Sequence, residues 1–407
     1  MQITEQGPST VQYTRNEAAD LILPELGALA PIIAARAAEA EAARRIPADI
    51  LQMLKSAGVF RMAVPRIHGG LELDLPTIAR VVQALVKIDG SIGWIGSLNQ
   101  VAALVLPLLA QETYERVYQN GPDLLCAGVN QPTGTAVAEA DGWRVNGRWS
   151  FASGCEDADW IAGACVLTKD GQPLPGPAAG VPAVRLVCLP AHHWHIEDTW
   201  RASGLRATGS HHIALRDAFV PSENLIDIAS PRPCLPGPLY RTPLHFITLL
   251  HGPIALGLAE GALDDIVGMA QSGRQQLRAA VAMRDSEIFQ YELGRAQAEF
   301  RAAQAMFDAQ AASYWRRALG GTLDSDAMLV EGTQTVTWVT EACLRVAHTC
   351  FALGGGSAVF ESLPLQRRLR DIQVAAQHVE VQARHHAKAG KLLLSPASGP
   401  AVPIRTN

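Results

Sequence analysis

A single block of strand-like sequence, set between long helical stretches, constrains this chain more than any other feature. From about residue 126 to 225 the runs GWRVNGRWSFASG, WIAGACVLT, AVRLVCLP, WHIEDTW and HHIALRDAFVP are short and rich in aromatic and β-branched residues. Asn146-Gly147 is the strongest short hairpin signal, because both residues tolerate the positive φ of a two-residue turn. GQPLPGPAAGVP at 171–182 reads as a Pro/Gly-rich loop between strands. Nothing in the block alternates strand with helix, so a doubly wound sheet is disfavoured.

On both sides of the block the apolar residues recur at helical spacing. EAADLILPELGALAPIIAARAAEAEAARRIP opens the helical region, and PADILQMLKSAGVF follows, with Pro47 at its start and Gly58 at its end. LDLPTIARVVQALVKIDGSIGWIGSLNQVAALVLPLLA predicts two more helices, the second almost wholly apolar and therefore buried. After the linker ASPRPCLPGPLYRTP, helices are predicted at roughly 244–272, 284–318, 325–353 and 364–393, which suggests a bundle. The last of them carries RDIQVAAQHVEVQARHH, with His378 on its half-apolar side. The expected architecture is α+β: a helical domain at 1–125, a β-domain at 126–228, a four-helix bundle at 229–395 and an extended tail at 396–407.

Composition excludes several classes of partner. The chain has 407 residues, 48% hydrophobic and only 18% charged, so ample buried surface is available. A net charge of −5 without a long basic run argues against nucleic acid or an acidic membrane as partner. The seven cysteines are scattered and never spaced CxxC, as free thiols in a reducing cytoplasm would be. MQITEQGPSTVQYTRNEAAD has no apolar core, and VAALVLPLLA is short and broken by Pro107. A soluble cytoplasmic protein is expected.

Common catalytic motifs are missing. No GxGxxG follows a strand, no Walker loop is present, and no GxSxG elbow occurs. LGGGS at 353–357 reads as a helix stop. The patches His192-His193-Trp194-His195 and His211-His212 lack further ligands at metal spacing, so no metal site is expected.

Three longer segments nevertheless belong together. GVNQPTGTAVAEADGWRVNGRWSFASGCEDADW, GLRATGSHHIALRDAFVP and LGGGSAVFESLPLQRRLRD resemble, in order and spacing, the β-domain and bundle of the acyl-CoA dehydrogenase superfamily. The resemblance spans roughly residues 20–393 and implies a bound flavin and a homotetramer. Dehydrogenases of this superfamily remove a proton with a glutamate. Monooxygenases on the same fold take reduced flavin from a separate NAD(P)H:flavin reductase and activate O2.

The positions of the acid separate the two chemistries. In many dehydrogenases a glutamate follows the Arg370-Asp371 type of pair by two helical turns, and counting from Asp371 lands on His378 and Val379. In another branch the glutamate precedes a Gly-Pro pair; ahead of Gly252-Pro253 that place falls near His245. Glu380 is close, but stands about 200° around a helix from His378. The resemblance therefore implies the oxygenase component of a two-component flavin monooxygenase. It would use FADH2 or FMNH2 and O2, through a C4a-hydroperoxyflavin, to hydroxylate a small electron-rich aromatic such as an indole or phenol. An acyl-CoA dehydrogenase and an N- or S-oxygenating monooxygenase remain as alternatives.

The same resemblance implies site residues. His378 would manage a proton near neutral pH, or else be a buried histidine bonded to a carbonyl. Ser153 in FASG would face flavin N5, or else serve the turn. Asn130, Thr133, Gly134, Trp149, Phe151, Arg206, Thr208, Ser210 and Arg370 are candidate flavin contacts, and Arg284 a contact to a neighbouring subunit's flavin. Trp94, Asn99, His245 and Phe246 are candidate substrate contacts. Phenol-hydroxylating members carry a histidine shortly after a Gly-Trp pair; after Gly93-Trp94 this chain offers Ser97, Asn99 and Gln100 instead.

Overall fold

Two aspartates fix where the most buried N-terminal helices begin. In the structure, a computed structural model describing residues 19–276 and 279–394, Asp74 accepts from Thr77 N ahead of α4 (Leu75–Ile88). Asp89 then caps α5 (Gly90–Val105) through Ser91 N and Ile92 N. Before them come α1 (Ala19–Ala35), α2 (Ala37–Ala43) and α3 (Ala48–Ser56), and after them α6 (Gln111–Val117). The α4–α5 crossing needs Gly93, where a Cβ would lie 2.2 Å from Val86 Cγ2. The predicted tail at 396–407 lies outside the described residues.

The central domain is an eight-stranded sheet of β1 (Cys126–Glu139), β2 (Gly142–Ala152), β3 (Trp160–Lys169), β4 (Gln172–Pro173), β5 (Val184–Pro190), β6 (His195–Glu197), β7 (His211–Pro221) and β8 (Leu225–Ile226). Its order is β6-β7-β2-β1-β3-β5-β8, with β4 on β3; β1 and β3 are parallel and the other pairs antiparallel.

Asn146-Gly147 is not the hairpin. The β1–β2 register pairs Glu139 with Gly142, so the chain turns at Ala140-Asp141. Asn146-Gly147 sits inside β2 at a register shift against β7, where Asn146 Oδ1 accepts from Asp217 N at 2.8 Å. Glycine is needed there for packing: a Cβ on Gly147 would come within 2.5 Å of the Trp149 ring, and one on Gly134 within 2.1 Å.

The C-terminal helices are α7 (Pro238–Arg241), α8 (Pro243–Leu249), α9 (Gly252–Gln271), α10 (Glu287–Leu319), α11 (Asp326–Gly354), α12 (Pro364–Ala375) and α13 (Arg384–Leu394). Two expected continuous helices are broken. The first bundle helix breaks at Leu250-His251, between α8 and α9. The last breaks after α12, where His378 is extended (φ −64°, ψ 142°) and opens a 3-10 turn at Val379–Val381. The 200° separation of His378 and Glu380 therefore does not hold, because no single helix carries both. By composition, Gly90–Leu108 and Pro243–Gln271 are long and apolar enough to span a membrane, yet 83% and 94% of their apolar windows are buried in the fold.

Candidate active site at the meeting of three domains

Ser153, just past the end of β2, sits where α5, the sheet and the bundle meet. A chain of hydroxyls fixes its polarity. Thr208 Oγ1 donates to Leu205 O at 2.8 Å, since a carbonyl can only accept. The 2.6 Å contact of Thr208 with Ser210 is then donated by Ser210, and the 2.7 Å contact of Ser210 with Ser153 by Ser153. Trp94 Nε1 completes the chain by donating to Ser153 Oγ at 3.1 Å. The Ser153 proton is thus committed, and its remaining lone pair faces any incoming ligand as an acceptor only.

The loop bearing this chain is clamped from the bundle. Asp371, buried on α12, accepts from Leu205 N at 2.6 Å. Burial pushes its carboxyl up to about 7, with Asp89 adding to the shift. Arg370 donates to Ser203 O (2.6 Å) and Gln366 (2.7 Å) and pairs with Glu41 (3.0 Å). Gly204 permits the approach, for a Cβ there would lie 2.2 Å from Arg370 O.

Two imidazoles close the other side. The His251 and His378 rings stack at 4.3 Å and 24°, and both meet Trp94 edge-on, at 6.1 and 5.6 Å. Burial lowers His251 to about 4; burial and the facing His251 lower His378 to about 3. Both rings are therefore neutral at ordinary pH. His251 Nδ1 faces the Ile247 carbonyl at 3.3 Å, so it carries the proton, and buried Nε2 is left a lone pair without a partner. An unmade bond of this kind costs roughly 1–3 kcal/mol. His378 Nδ1 accepts from Glu380 N at 3.4 Å, so its proton is on Nε2. The Glu380 carboxylate accepts from Thr248 Oγ1 at 3.3 Å.

Phe151 and Arg206 flank this cluster differently. Phe151 has φ of 72° and its ring is 64% exposed, edge-on to Trp200 and His212. Arg206 is half-buried; its carbonyl accepts from Gly209 N, while its guanidinium makes no hydrogen bond or ion pair among the described residues. A narrow cleft that also touches Ser153, lined by Arg45, Ile95, Asn99, Glu156 and Thr208 among others, holds no imidazole. Arg45 on its rim is taken up by Asp157 at 2.6 Å. Among the described residues no cluster of three or more His, Cys, Asp or Glu could hold a metal.

Several sequence expectations meet a different geometry. Trp149 is fully buried in the sheet, donating to Ala164 O at 2.7 Å and packing on Trp194, so it cannot wall a ligand. Gly134 lies buried beneath Trp149, while Asn130 and Thr133 are exposed along β1, where Thr133 donates to Arg148 O at 2.8 Å. Thr208 and Ser210 act through Ser153, and Arg370 is consumed by the clamp described above. Asn99 donates to Phe60 O and accepts from Cys126 N, both at 3.1 Å. Ser97 and Gln100 are likewise spent on backbone groups. His245 turns away to Ser325 O and Tyr314, and Phe246 packs on Trp315 in the bundle core. Arg284, paired with Asp285, lies beyond the far end of α9, about 30 Å along that helix from His251. His251 was missed, although it immediately precedes Gly252-Pro253.

The fold and this site define a flavoenzyme-like three-domain architecture with imidazole, rather than carboxylate, against the Ser153–Trp94 pair. Comparison with known proteins places it. The family model for the acyl-CoA dehydrogenase N-terminal domain matches residues 29–117, and that for the C-terminal domain matches 249–383. Indole-3-acetate monooxygenase of Pseudomonas putida is 32% identical over 363 residues, covering 88% of this chain and 90% of that one. The oxygenase subunit HsaA of a flavin-dependent monooxygenase from Rhodococcus jostii is 30% identical, covering 88% and 93%. The solved structure of XiaF from Streptomyces sp., in complex with FADH2 and glycerol, superposes with a TM-score of 0.86 at 25% identity, over 95% of this chain and 99% of that one. The chain belongs to the acyl-CoA dehydrogenase superfamily, in its branch of flavin-dependent monooxygenase oxygenase components. It is an oxidoreductase.

Proposed function

We propose that this chain hydroxylates a small electron-rich aromatic, indole- or phenol-like, using FADH2 or FMNH2 delivered by a separate NAD(P)H:flavin reductase. The carrying observation is the neutral His251–His378 stack against Trp94, one residue contact away from Ser153. The residues present suit a flavin: exposed Phe151 offers a ring face, Ser153 Oγ accepts a ring N–H, and unpaired Arg206 offers charge to a phosphate. Bound reduced flavin supplies the electrons that let one atom of O2 enter the aromatic ring while the other leaves as water.

His378 differs from a base poised near neutrality. With its pKa lowered to about 3 it stays uncharged and donates from Nε2–H. Its work is to hold a proton in place by hydrogen bonding, while Val381, Trp94 and His251 exclude water around it. Exposed Ile288, Tyr291, Val359 and Phe360 give the bundle apolar surface for self-association as a soluble cytoplasmic homotetramer, which sedimentation would test.

The test of the reaction is isotopic. Protein supplied with chemically reduced FAD, indole and ¹⁸O2 should release a hydroxylated product carrying one labelled atom. Anaerobic bleaching of its oxidised flavin by an acyl-CoA, with no labelled product from any aromatic, would replace this reading by dehydrogenation.

A further inference from the structure

The chain lacks a histidine after Gly93-Trp94, and the polar residues that stand there are all bonded to backbone groups: Ser97 to Leu250 O, Asn99 to Phe60 O and Cys126 N, Gln100 to Val59 O, Gly96 O and Ala63 N. Each of these α5 side chains is therefore already held by backbone groups. On the bundle side one buried nitrogen is not held at all. His251 is buried, its Nδ1–H is spent on Ile247 O, and its Nε2 has no partner. Its ring lies against both Trp94 and His378.

Resting on the proposed function, we infer that His251 is a substrate-binding residue whose Nε2 accepts the N–H or O–H of the aromatic, which binds in its uncharged form. The reasoning is one of satisfaction. A lone pair buried without a donor is costly, and a ligand that brings a donor removes that cost. A ligand presenting its own lone pair at the same place meets lone-pair repulsion. An anion is disfavoured as well, because neither imidazole is charged and, among the described residues, no arginine or lysine contacts the stack. His378 Nε2–H then remains free for the reaction, so recognition and chemistry fall to different rings.

The test is equilibrium binding, which does not require turnover. Ligand titrations are followed by calorimetry on the intact protein. Indole and benzofuran have nearly the same shape, but only indole has a donor. Wild-type protein should bind indole roughly tenfold more tightly than benzofuran. His251→Leu should abolish the preference, and His251→Gln, whose Oε1 can accept, should restore part of it. A nitrophenol that ionises near neutrality should bind more weakly as pH rises through its own pKa. Equal binding of indole and benzofuran by the wild type would overturn the assignment without any variant, as would a preference that survives in folded His251→Leu. If the preference holds but no labelled product forms, the proposed function fails while the recognition stands.

Discussion

On the sheet side of the site each hydroxyl has its partners; on the bundle side two ring nitrogens do not. Thr208, Ser210, Ser153 and Trp94 form a chain in which every proton is assigned. His251 Nε2 has no hydrogen-bond partner, and the proton of His378 stands on its Nε2. The difference separates scaffold from machinery. A satisfied network holds one geometry and resists titration, whereas unsatisfied groups store a cost that a ligand can remove. The sheet side should therefore govern where a flavin sits, and the bundle side what happens to the substrate.

Removing the bundle donor should have the largest effect. His378→Ala should lower hydroxylation roughly 10²–10⁴-fold, with hydrogen peroxide released in place of product, while reduced-flavin affinity stays the same. Product and peroxide yields per reduced flavin measure this. Equal loss of flavin binding would mean that the two sides are not separable. Ser153→Ala strikes the other side. It strips the acceptor from Trp94 Nε1 and the donor from Ser210, and should cost about 1–3 kcal/mol in denaturant unfolding as well as weakening flavin binding. Ser153→Thr should recover most of both.

The same contrast explains what could be read from the sequence. The apolar run of α5 announces its burial, and the three-part order of helices, strands and helices announces the superfamily fold. Ser153 comes from the resemblance of FASG to the family's β-domain, since its place after a strand suits a turn serine equally well. Trp149 and Phe151 are two residues apart and by alternation should share a face. The register shift between Trp149 and Ala152, with positive φ at Phe151, instead sends one ring inward and the other to solvent. The helix break that presents His378 contains neither Gly nor Pro, so nothing local marks it. Asn99 looks like a ligand contact in sequence; only the fold shows that it bonds Phe60 O and Cys126 N, as its neighbour Gln100 bonds Val59 O and Ala63 N. His251 carried a signal in Gly252-Pro253, but its stacking on a residue 127 positions later (378 − 251) did not.

Acid should act on the bundle side first. His251 and His378 have folded pKa values near 4 and 3, below the unfolded value of 6.5, so the unfolded chain takes up protons that the fold refuses. Their contribution is complete above the unfolded value and is lost as pH falls from 6.5 toward the folded values, by at most about 1.4 kcal/mol per pH unit for each ring. Melting temperatures measured from pH 7 to 4.5 should fall, and the fall should flatten in a His251→Gln/His378→Asn double variant. An unchanged slope would show the rings to be solvated.

A pH effect of the opposite sign tests the clamp. Asp371 has a folded pKa raised to about 7 from 3.8, so the fold holds a proton that the unfolded chain releases. Its contribution is complete below 3.8 and is lost as pH rises toward 7. Asp89 and Glu41 are the facing acids and Arg370 the facing base, and none of them is removed in Asp371→Asn. That variant keeps an oxygen for Leu205 N and cannot ionise. Its stability relative to wild type should therefore rise with pH between 4 and 7, by no more than about 1.4 kcal/mol per unit. Asp371→Ala, which frees Leu205 N, should be less stable at every pH and should loosen flavin binding through Thr208, Ser210 and Ser153. If Asp371→Asn also loosened flavin binding, the charge of Asp371, and not its bond to the loop, would be setting the sheet side of the site.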